Sequence, residues 1–169
     1  DRIDRQLLGG TGANDFIVKP YSEELLLTRL QTLLGLRKKG TLDKQVSILI
    51  VEDSPTQAEQ LKYLLEDQGY TVTVAANGKE GLDAARKNRP TLILSDILMP
   101  VMDGYELAHA IKHDNELKNI PVILITSLMD RKDILRRAAV VADGFFTKPY
   151  DDNYLLSKIE FLLSSASRN

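Results

Sequence analysis

Residues 47–57 read SILIVEDSPTQ, and within this stretch the sequence changes from the pattern of a strand to that of a helix. Ile48 to Val51 are all apolar, without the polar residue at every second position that a strand with one solvated face would show. Glu52 and Asp53 follow this run directly. Residues 54–57 then supply a serine N-cap, a proline at the first helical position and a glutamine at the third. The stretch predicts a buried strand, an acidic strand end and the start of a helix.

The same alternation continues along the rest of the chain. Further short apolar runs, each separated from the next by an amphipathic segment, lie at Val72–Ala75, Leu92–Leu94, Val122–Ile125 and Phe145–Phe146. Asn77 and Asp103 each precede a glutamate by three residues, which is the spacing of a helix cap. Five strands alternating with helices over about 120 residues predict an α/β fold, an open and doubly wound five-stranded parallel sheet of the (βα)5 type.

The composition is typical of a folded globular chain and excludes several classes of function. Of 169 residues, 43% are hydrophobic and 27% are charged, and 22 basic residues against 24 acidic ones give a net charge of −2. Because there is no basic excess to contact a phosphate backbone, we expect no nucleic acid partner. The chain has no cysteine, which excludes disulfides, thiolate metal sites and thiol nucleophiles and fits a reducing, cytoplasmic compartment.

The sequence gives no reason to expect contact with a membrane. Its longest apolar runs are far shorter than the roughly 20 residues that cross a bilayer. The first residue is Asp1, with neither an initiator methionine nor the apolar region of a secretory signal after it. We therefore expect a fragment or a processed chain.

An internal repeat relates the two ends of the chain at an offset of 129 residues. Residues 1–34 match residues 130–163 without a gap, with 12 identities in 34 positions. Chance similarity between two amphipathic helices cannot explain the triplet Lys-Pro-Tyr that recurs at residues 19–21 and 148–150. The chain is therefore predicted to hold the end of one domain followed by a whole second copy.

The repeat sets the predicted domain boundaries. Residues 1–36 are predicted to be the C-terminal third of a first domain, with its fourth helix, fifth strand and fifth helix. Residues 37–45 form a linker, because glycines and a basic run interrupt the hydrophobic pattern there. Residues 46–165 form the complete copy, and residues 166–169 form a tail.

Polar side chains follow four of the five predicted strands. They are Glu52 and Asp53 after the first strand, Asp96 after the third, Thr126 after the fourth and Lys148 after the fifth. In open α/β sheets, ligands bind beyond the carboxyl ends of the strands, near the point where the strand order reverses. Two carboxylates about 4 Å apart repel by about 4 kcal/mol at an effective dielectric constant of 20, so three of them need a cation. Oxygen donors without histidine or cysteine suit Mg²⁺ better than zinc.

These motifs resemble those of a known family. Residues 46–165 resemble the receiver domain of bacterial response regulators, and residues 1–36 resemble the last third of another. The matching elements are the acidic pair Glu52-Asp53, the segment DILMPVMDG at residues 96–104, the pair Thr126-Ser127, and FFTKP at residues 145–149. The resemblance implies a flavodoxin-like sheet with strand order 2-1-3-4-5. It also implies a phosphoacceptor switch in a two-component phosphorelay.

The resemblance assigns a role to each residue of the acidic site. Asp96 is the expected phosphoacceptor, and a carboxylate is already ionised at neutral pH, so it can attack phosphorus without a general base. The expected metal ligands are Asp53, Asp96 and the backbone carbonyl of Leu98, with Glu52 bound through water. Mg²⁺ is the expected cofactor and Mn²⁺ a substitute. Lys148 is expected to supply the second positive charge.

Two further residues are expected to convert phosphorylation into a signal. The Thr126 hydroxyl would donate to a phosphoryl oxygen and draw its loop inward, which opens space for the ring of Phe145 to rotate into the fold. This movement would reshape the face formed by the fourth helix, the fifth strand and the fifth helix, residues 130–163. The expected phosphoryl donor is a histidine kinase or a histidine phosphotransfer protein. A homodimer is expected to form through residues 130–163 or through the N-terminal fragment.

The residues leave some alternatives open. A metal-dependent phosphohydrolase with an aspartate nucleophile is one, although phosphatases of the haloacid dehalogenase type need a second acid two residues later, where this chain has Leu98. A scaffold that is never phosphorylated is another. Phe145 is also explained as a core residue, and Lys148-Pro149 as a tight turn. The favoured prediction is a signalling domain that catalyses its own phosphorylation and dephosphorylation and is not otherwise an enzyme.

The sequence also bears on how long a phosphoryl group would last. Leu98 and Leu128, two residues after Asp96 and Thr126, are expected to flank the path of water to the phosphoryl group. Neither side chain can orient an attacking water. We therefore expect a long-lived phosphoryl group.

Overall fold

A computed structural model describes residues 46–127, 137 and 140–166. The chain divides into two units, Asp1–Arg37 and Lys38–Asn169, and every described residue belongs to the second. The partial copy and the linker predicted from the sequence lie outside the described residues. Most of the predicted fourth helix also lies outside them.

The described residues contain one parallel sheet of five strands. The strands are β1 (Ser47–Val51), β2 (Thr71–Ala75), β3 (Leu92–Asp96), β4 (Val122–Thr126) and β5 (Gly144–Thr147). Their order across the sheet is β2-β1-β3-β4-β5, with every neighbouring pair parallel. The predicted order 2-1-3-4-5 is confirmed. This order reverses between β1 and β3, so the ends of these two strands lie side by side.

Four helices are described between and after the strands. They are α1 (Pro55–Asp67), α2 (Gly78–Asn88), α3 (Gly104–His113) and α4 (Asp152–Ala166), the last being the fifth helix of the predicted order. The caps predicted from the sequence are present at the start of α1, α2 and α3. At α3 the Asp103 carboxylate accepts from the Glu106 N–H at 2.7 Å, and the Glu106 carboxylate accepts from the Asp103 N–H at 3.0 Å. None of the helices described is both long and apolar enough to span a membrane.

Burial on both faces explains the unbroken apolar runs of the central strands. Successive residues of a strand point to opposite faces, so each strand supplies two hydrophobic cores. Ile48 and Ile50 of β1 pack with residues of α1 and α4, whereas Leu49 and Val51 pack with residues of α2 and α3. A polar residue at either set of positions would be buried without water, which is why none is found there.

The strand β2 departs from the predicted burial on both faces. It lies at the edge of the sheet and pairs only with β1. Val72 and Ala75 are buried, but 46% of Val74 is exposed. An apolar run does not distinguish an edge strand from a central one, because the burial of its side chains depends on neighbouring strands and helices that the run itself does not specify.

Three strands, β3, β4 and β5, end later than the sequence predicts, and the first two of them gain a site residue. The third predicted strand ends at Leu94 and the fourth at Ile125, whereas β3 continues to Asp96 and β4 to Thr126. The backbone of Asp96 is in register with that of Ile125 on β4. A polar side chain does not end a strand whose backbone still has a partner, so Asp96 and Thr126 belong to the sheet and share its rigidity.

Gly104 packs against the backbone of Asp96 at the start of α3. Its N–H donates to the carbonyl of Ile97 at 2.8 Å. A Cβ atom at this position would lie 2.1 Å from the Asp96 carbonyl oxygen. The absence of a side chain therefore lets α3 begin directly against the end of β3.

We predict that Gly104→Ala lowers the free energy of unfolding by about 3 kcal/mol, because the added methyl group forces the end of β3 and the start of α3 apart. Urea denaturation measures this change. Gly69→Ala is the control, since Gly69 has a φ of +90° and no neighbouring atom within 4 Å of an added Cβ. It should cost only about 1 kcal/mol, from backbone conformation alone. Equal losses in the two variants would contradict the steric explanation.

Candidate functional site

Three acidic side chains meet at the carboxyl end of the sheet. Val51 of β1 pairs with Ser95 of β3, so the residues that follow them in the two strands are neighbours. One oxygen from each carboxylate of Glu52, Asp53 and Asp96 lies within 4.8 Å of the other two. Glu52 is buried, Asp96 is half-buried and Asp53 is exposed. The structure thus brings together the three acids that the sequence singles out.

Lys148 reaches this acidic cluster from the end of β5. Its Nζ donates to Glu52 Oε2 and to Asp96 Oδ2, both at 3.2 Å. It also donates to the Oε1 of Gln57 on α1. The sequence predicts the contact with the acids but treats Gln57 only as part of a helix start. The only feature of the sequence that indicates this contact is the position of Gln57, four residues after Asp53. That position places Gln57 in the first turn of the helix that follows the acidic pair.

Backbone groups fix the other oxygens of the two carboxylates that Lys148 binds. Glu52 Oε1 accepts from the Ser54 N–H at 3.1 Å, and Asp96 Oδ1 accepts from the Ile97 N–H at 2.7 Å. Each of these carboxylates therefore has one oxygen on the backbone and one on the ammonium. Two partners per carboxylate hold its plane in one orientation without a metal ion.

The electrostatic balance of the site is visible in its pKa shifts. Burial raises the pKa of Glu52 above its ordinary value, and the nearby charge of Asp96 adds to the effect, while the Ser54 N–H and Lys148 oppose it. For Lys148, burial by itself lowers the pKa, but the carboxylates of Asp96 and Glu52 outweigh burial and raise it. Lys148 thus keeps its charge, whereas Glu52 is the acid that protonates at an unusually high pH.

The cleft beside these groups is small. It has an accessible volume of about 20 Å³ and is lined by residues that include Glu52, Gln57, Ser95, Asp96 and Lys148. Pockets for organic ligands range from about 300 to 1,000 Å³. A cleft of this size has room for a small ion and not for a whole organic substrate.

The loop from β3 to α3 carries Leu98 past the acidic cluster. Its two ends are anchored, since Gly104 N–H donates to the carbonyl of Ile97 at 2.8 Å and Gly78 N–H donates to the carbonyl of Met102 at 3.0 Å. Between them, Met102 N–H donates to the carbonyl of Pro100 at 2.8 Å, and Val101 has a φ of +71°. A β-branched residue is strained in this region, so the loop is held in its shape by its anchors.

The structure also locates the two predicted switch residues. Thr126 is the last residue of β4 and is fully buried, one position beyond the residue that pairs with Asp96. Its carbonyl accepts from the Lys148 N–H at 2.8 Å, which joins the ends of β4 and β5. Phe145 on β5 is half-buried and packs against the core between the sheet and helices α2 and α3. Thr126 lies at the same end of the sheet as the site, whereas Phe145 lies inside β5, where it pairs with Leu124. Their switching role stays a prediction.

Comparisons with known proteins agree with this geometry. The family model of the response regulator receiver domain matches residues 48–160. The chain belongs to the response regulator receiver family. Receiver domains are signalling switches of two-component systems, and they typically bind Mg²⁺ at an acidic site. They are phosphorylated by histidine kinases or phosphotransfer proteins. The oxygen-only donor set of Glu52, Asp53 and Asp96 fits such an ion.

Individual receiver proteins are similar over most of this chain. Protein PilH of Pseudomonas aeruginosa is 37% identical over 117 residues, which cover 69% of this chain and 97% of PilH. The receiver domain of a signal transduction histidine kinase from Syntrophus aciditrophicus is 48% identical. It aligns with a TM-score of 0.69 over 73% of this chain and 94% of that domain. The probable transcriptional regulator ycf29 of Porphyra purpurea is 35% identical, and the aligned region spans 59% of its length.

We predict that Glu52→Gln raises stability at pH 7, because the buried carboxylate is costly once it ionises. The folded receiver holds the Glu52 proton more tightly than the unfolded chain. Stability is therefore lost as the pH rises from the ordinary pKa of 4.5 through the raised folded value. Urea denaturation from pH 4 to pH 8 should show the two proteins converging at the acidic end.

The control for this prediction is Glu59→Gln, which removes the same charge from an exposed position on α1. It should leave the pH dependence of stability unchanged. The prediction would be contradicted if the stability of the wild-type receiver rose between pH 5 and pH 8 and that of Glu52→Gln rose with the same slope. The pH dependence of stability would then not come from the burial of Glu52.

Proposed function

We propose that this receiver domain is a phosphoacceptor switch and that Asp96 accepts the phosphoryl group. The observation that carries the proposal is the surroundings of its carboxylate. One oxygen lies 3.2 Å from the ammonium of Lys148, and an oxygen from each of two further acids lies within 4.8 Å of an Asp96 oxygen. The phosphoryl donor is a phosphohistidine on a histidine kinase or a histidine phosphotransfer protein.

The transfer exchanges one bond for another. A carboxylate oxygen of Asp96 attacks phosphorus, the P–N bond to the donor imidazole breaks, and a P–O bond forms. The electron pair of the P–N bond stays with the imidazole, which leaves and takes up a proton. Since the attacking group is already an anion, no base on the receiver is required. The barrier comes from bringing the anionic phosphoryl group close to three carboxylates.

Two positive charges lower this barrier. Asp53, Asp96 and the backbone carbonyl of Leu98 would hold Mg²⁺, or Mn²⁺ in its place, and Glu52 would reach it through water. When bound, such an ion would neutralise charge on the phosphoryl oxygens. The Lys148 ammonium would turn from the carboxylate to the new oxygens. Its raised pKa keeps it charged while it does so.

The signal then passes through Thr126 and Phe145. In this proposal the Thr126 hydroxyl donates to a phosphoryl oxygen, and the half-buried ring of Phe145 moves further into the fold. The surface that changes is the predicted one at residues 130–163. We propose that this surface contacts the partner or a second receiver, and that the domain also catalyses its own dephosphorylation. A cytoplasmic location follows from the same role.

Neither alternative function gains support from the site. A phosphohydrolase of the haloacid dehalogenase type needs an acid where this receiver has Leu98, and 46% of the Leu98 side chain is exposed. A scaffold would have no need for three clustered acids and a lysine at one edge of the sheet, with five hydrogen bonds that fix Lys148, Glu52 and Asp96. We therefore keep the phosphoacceptor as the proposed function.

We predict that acetyl phosphate with Mg²⁺ adds one phosphoryl group to the chain and that Asp96→Asn abolishes the addition. Intact-protein mass spectrometry measures the gain. Asp103→Asn is the matched control, because Asp103 lies in the same loop and asparagine also caps a helix. Loss of the gain in both variants, or its persistence in Asp96→Asn, would reject Asp96 as the acceptor. Chelation of the metal should also prevent the gain of the phosphoryl mass in the wild-type chain.

A second prediction concerns the lifetime of the phosphoryl group. The double variant Leu98→Asn, Leu128→Glu should have a phosphorylated form with a half-life about tenfold shorter, because both new side chains can orient water. Leu128 lies outside the described residues. Loss of the phosphoryl mass over time measures the half-life. Val101→Asn, a polar substitution at an exposed position of the same loop, is the control. An unchanged half-life in the double variant contradicts the prediction.

A further inference from the structure

The ammonium group of Lys148 is bound by three different parts of the fold. An ammonium has three N–H donors and no acceptor. The structure gives it three acceptors: Glu52 at the end of β1, Asp96 at the end of β3, and Gln57 in the first turn of α1. The number of acceptors equals the number of donors. The position of the nitrogen is therefore fixed from three directions.

The three acceptors differ in what happens to them during phosphoryl transfer. The carboxylate of Asp96 becomes an acyl phosphate, and Glu52 is placed to bind the metal through water. Gln57 carries no charge and takes no part in either change. Its bond to Lys148 is the one of the three that the reaction leaves intact. It can therefore hold the ammonium while the other two partners rearrange.

Gln57 is itself held in place by the helix that carries it. Its N–H donates to the Oγ of Ser54, the N-cap of α1. The next residues of α1 anchor the helix in the core, since Ala58, Leu61 and Leu65 are buried. The amide thus extends from a fixed turn, whereas a lysine ammonium on its four-carbon stem is mobile unless it is bound.

We infer that Gln57 is a positioning residue for phosphoryl transfer, and that its amide oxygen holds the Lys148 ammonium at Asp96. The inference rests on the proposed function and adds to it a residue that sequence analysis does not assign. Gln57 does not contact the phosphoryl group in this account. It acts through Lys148.

The test compares Gln57→Met with Gln60→Met. Methionine keeps the length and helix propensity of glutamine but is only a weak acceptor. Gln60 lies one turn further along α1, is also exposed and borders the same groove beside Lys148 and Tyr150. In Gln57→Met, we expect the rate constant for phosphorylation by acetyl phosphate to fall about three- to tenfold, as for the loss of one hydrogen bond. The apparent affinity for acetyl phosphate and the urea midpoint should match those of Gln60→Met.

A second measurement reports on Lys148 directly. The ¹⁵N–¹H signal of a lysine ammonium is visible by NMR when hydrogen bonds slow the exchange of its protons with water. We expect this signal in the wild-type receiver and in Gln60→Met, and its broadening in Gln57→Met. Gln57→Glu restores an acceptor oxygen and should restore the signal. This measurement requires no phosphoryl donor.

The outcomes separate the inference from the proposed function. If the wild-type receiver is phosphorylated and Gln57→Met reacts as fast as Gln60→Met with an unchanged Lys148 signal, the inference is wrong and the proposed function stands. A slower reaction together with a lowered urea midpoint in Gln57→Met would indicate a structural role and also overturn the inference. If the wild-type receiver takes up no phosphoryl group, the proposed function fails while the NMR arm still shows whether Gln57 fixes Lys148.

Discussion

Repulsion among Glu52, Asp53 and Asp96 is the constraint around which the site is organised. Their carboxylates approach within 4.8 Å of one another at the end of two adjacent strands, where water has little access to Glu52. Such crowding is unfavourable without positive charge. Lys148 supplies part of it, and the carboxylates of Asp96 and Glu52 raise its pKa. Burial raises the pKa of Glu52, and the charge of Asp96 adds to that effect. A cation bound beside these acids would relieve the repulsion, which would link metal binding to the stability of the fold.

The sheet supplies the rigidity that such a cluster requires. Asp96 is a member of β3 rather than a residue of the loop, and its backbone is in register with that of Ile125 on β4, one position beyond the last residue of β3 that pairs with β1. Gly104 packs against its carbonyl from the next helix. Hydrophobic cores on both faces of the sheet prevent the strands from moving to relieve the repulsion. The loop that carries Leu98 is anchored in a similar way and tolerates a strained Val101.

Most of the fold and the acidic site can be predicted from the sequence. The features that cannot be predicted depend on contacts between distant parts of the chain. Unbroken apolar runs and helix caps are local, so the strands and helices are predictable, and the motif order places the acids and Lys148 together. The exposure of Val74 was not predictable, because it depends on β2 having a single neighbour. The contact of Gln57 with Lys148 joins residues 91 positions apart, and a glutamine in a first helical turn is fully explained as a helix former. Local patterns give the helices, the strands and the polar residues at the strand ends, but not the long-range contacts of an ordinary polar residue.

The long separation along the chain between Lys148 and its partners has a consequence for the order of folding. Glu52 and Gln57 lie near the start of the domain, and the ammonium that neutralises Glu52 arrives 96 residues later with the fifth strand. A polypeptide still emerging from the ribosome holds all three acids before it holds their counter-ion. Docking of β5 is thus the step at which the Lys148 ammonium first offsets part of the negative charge of the three acids.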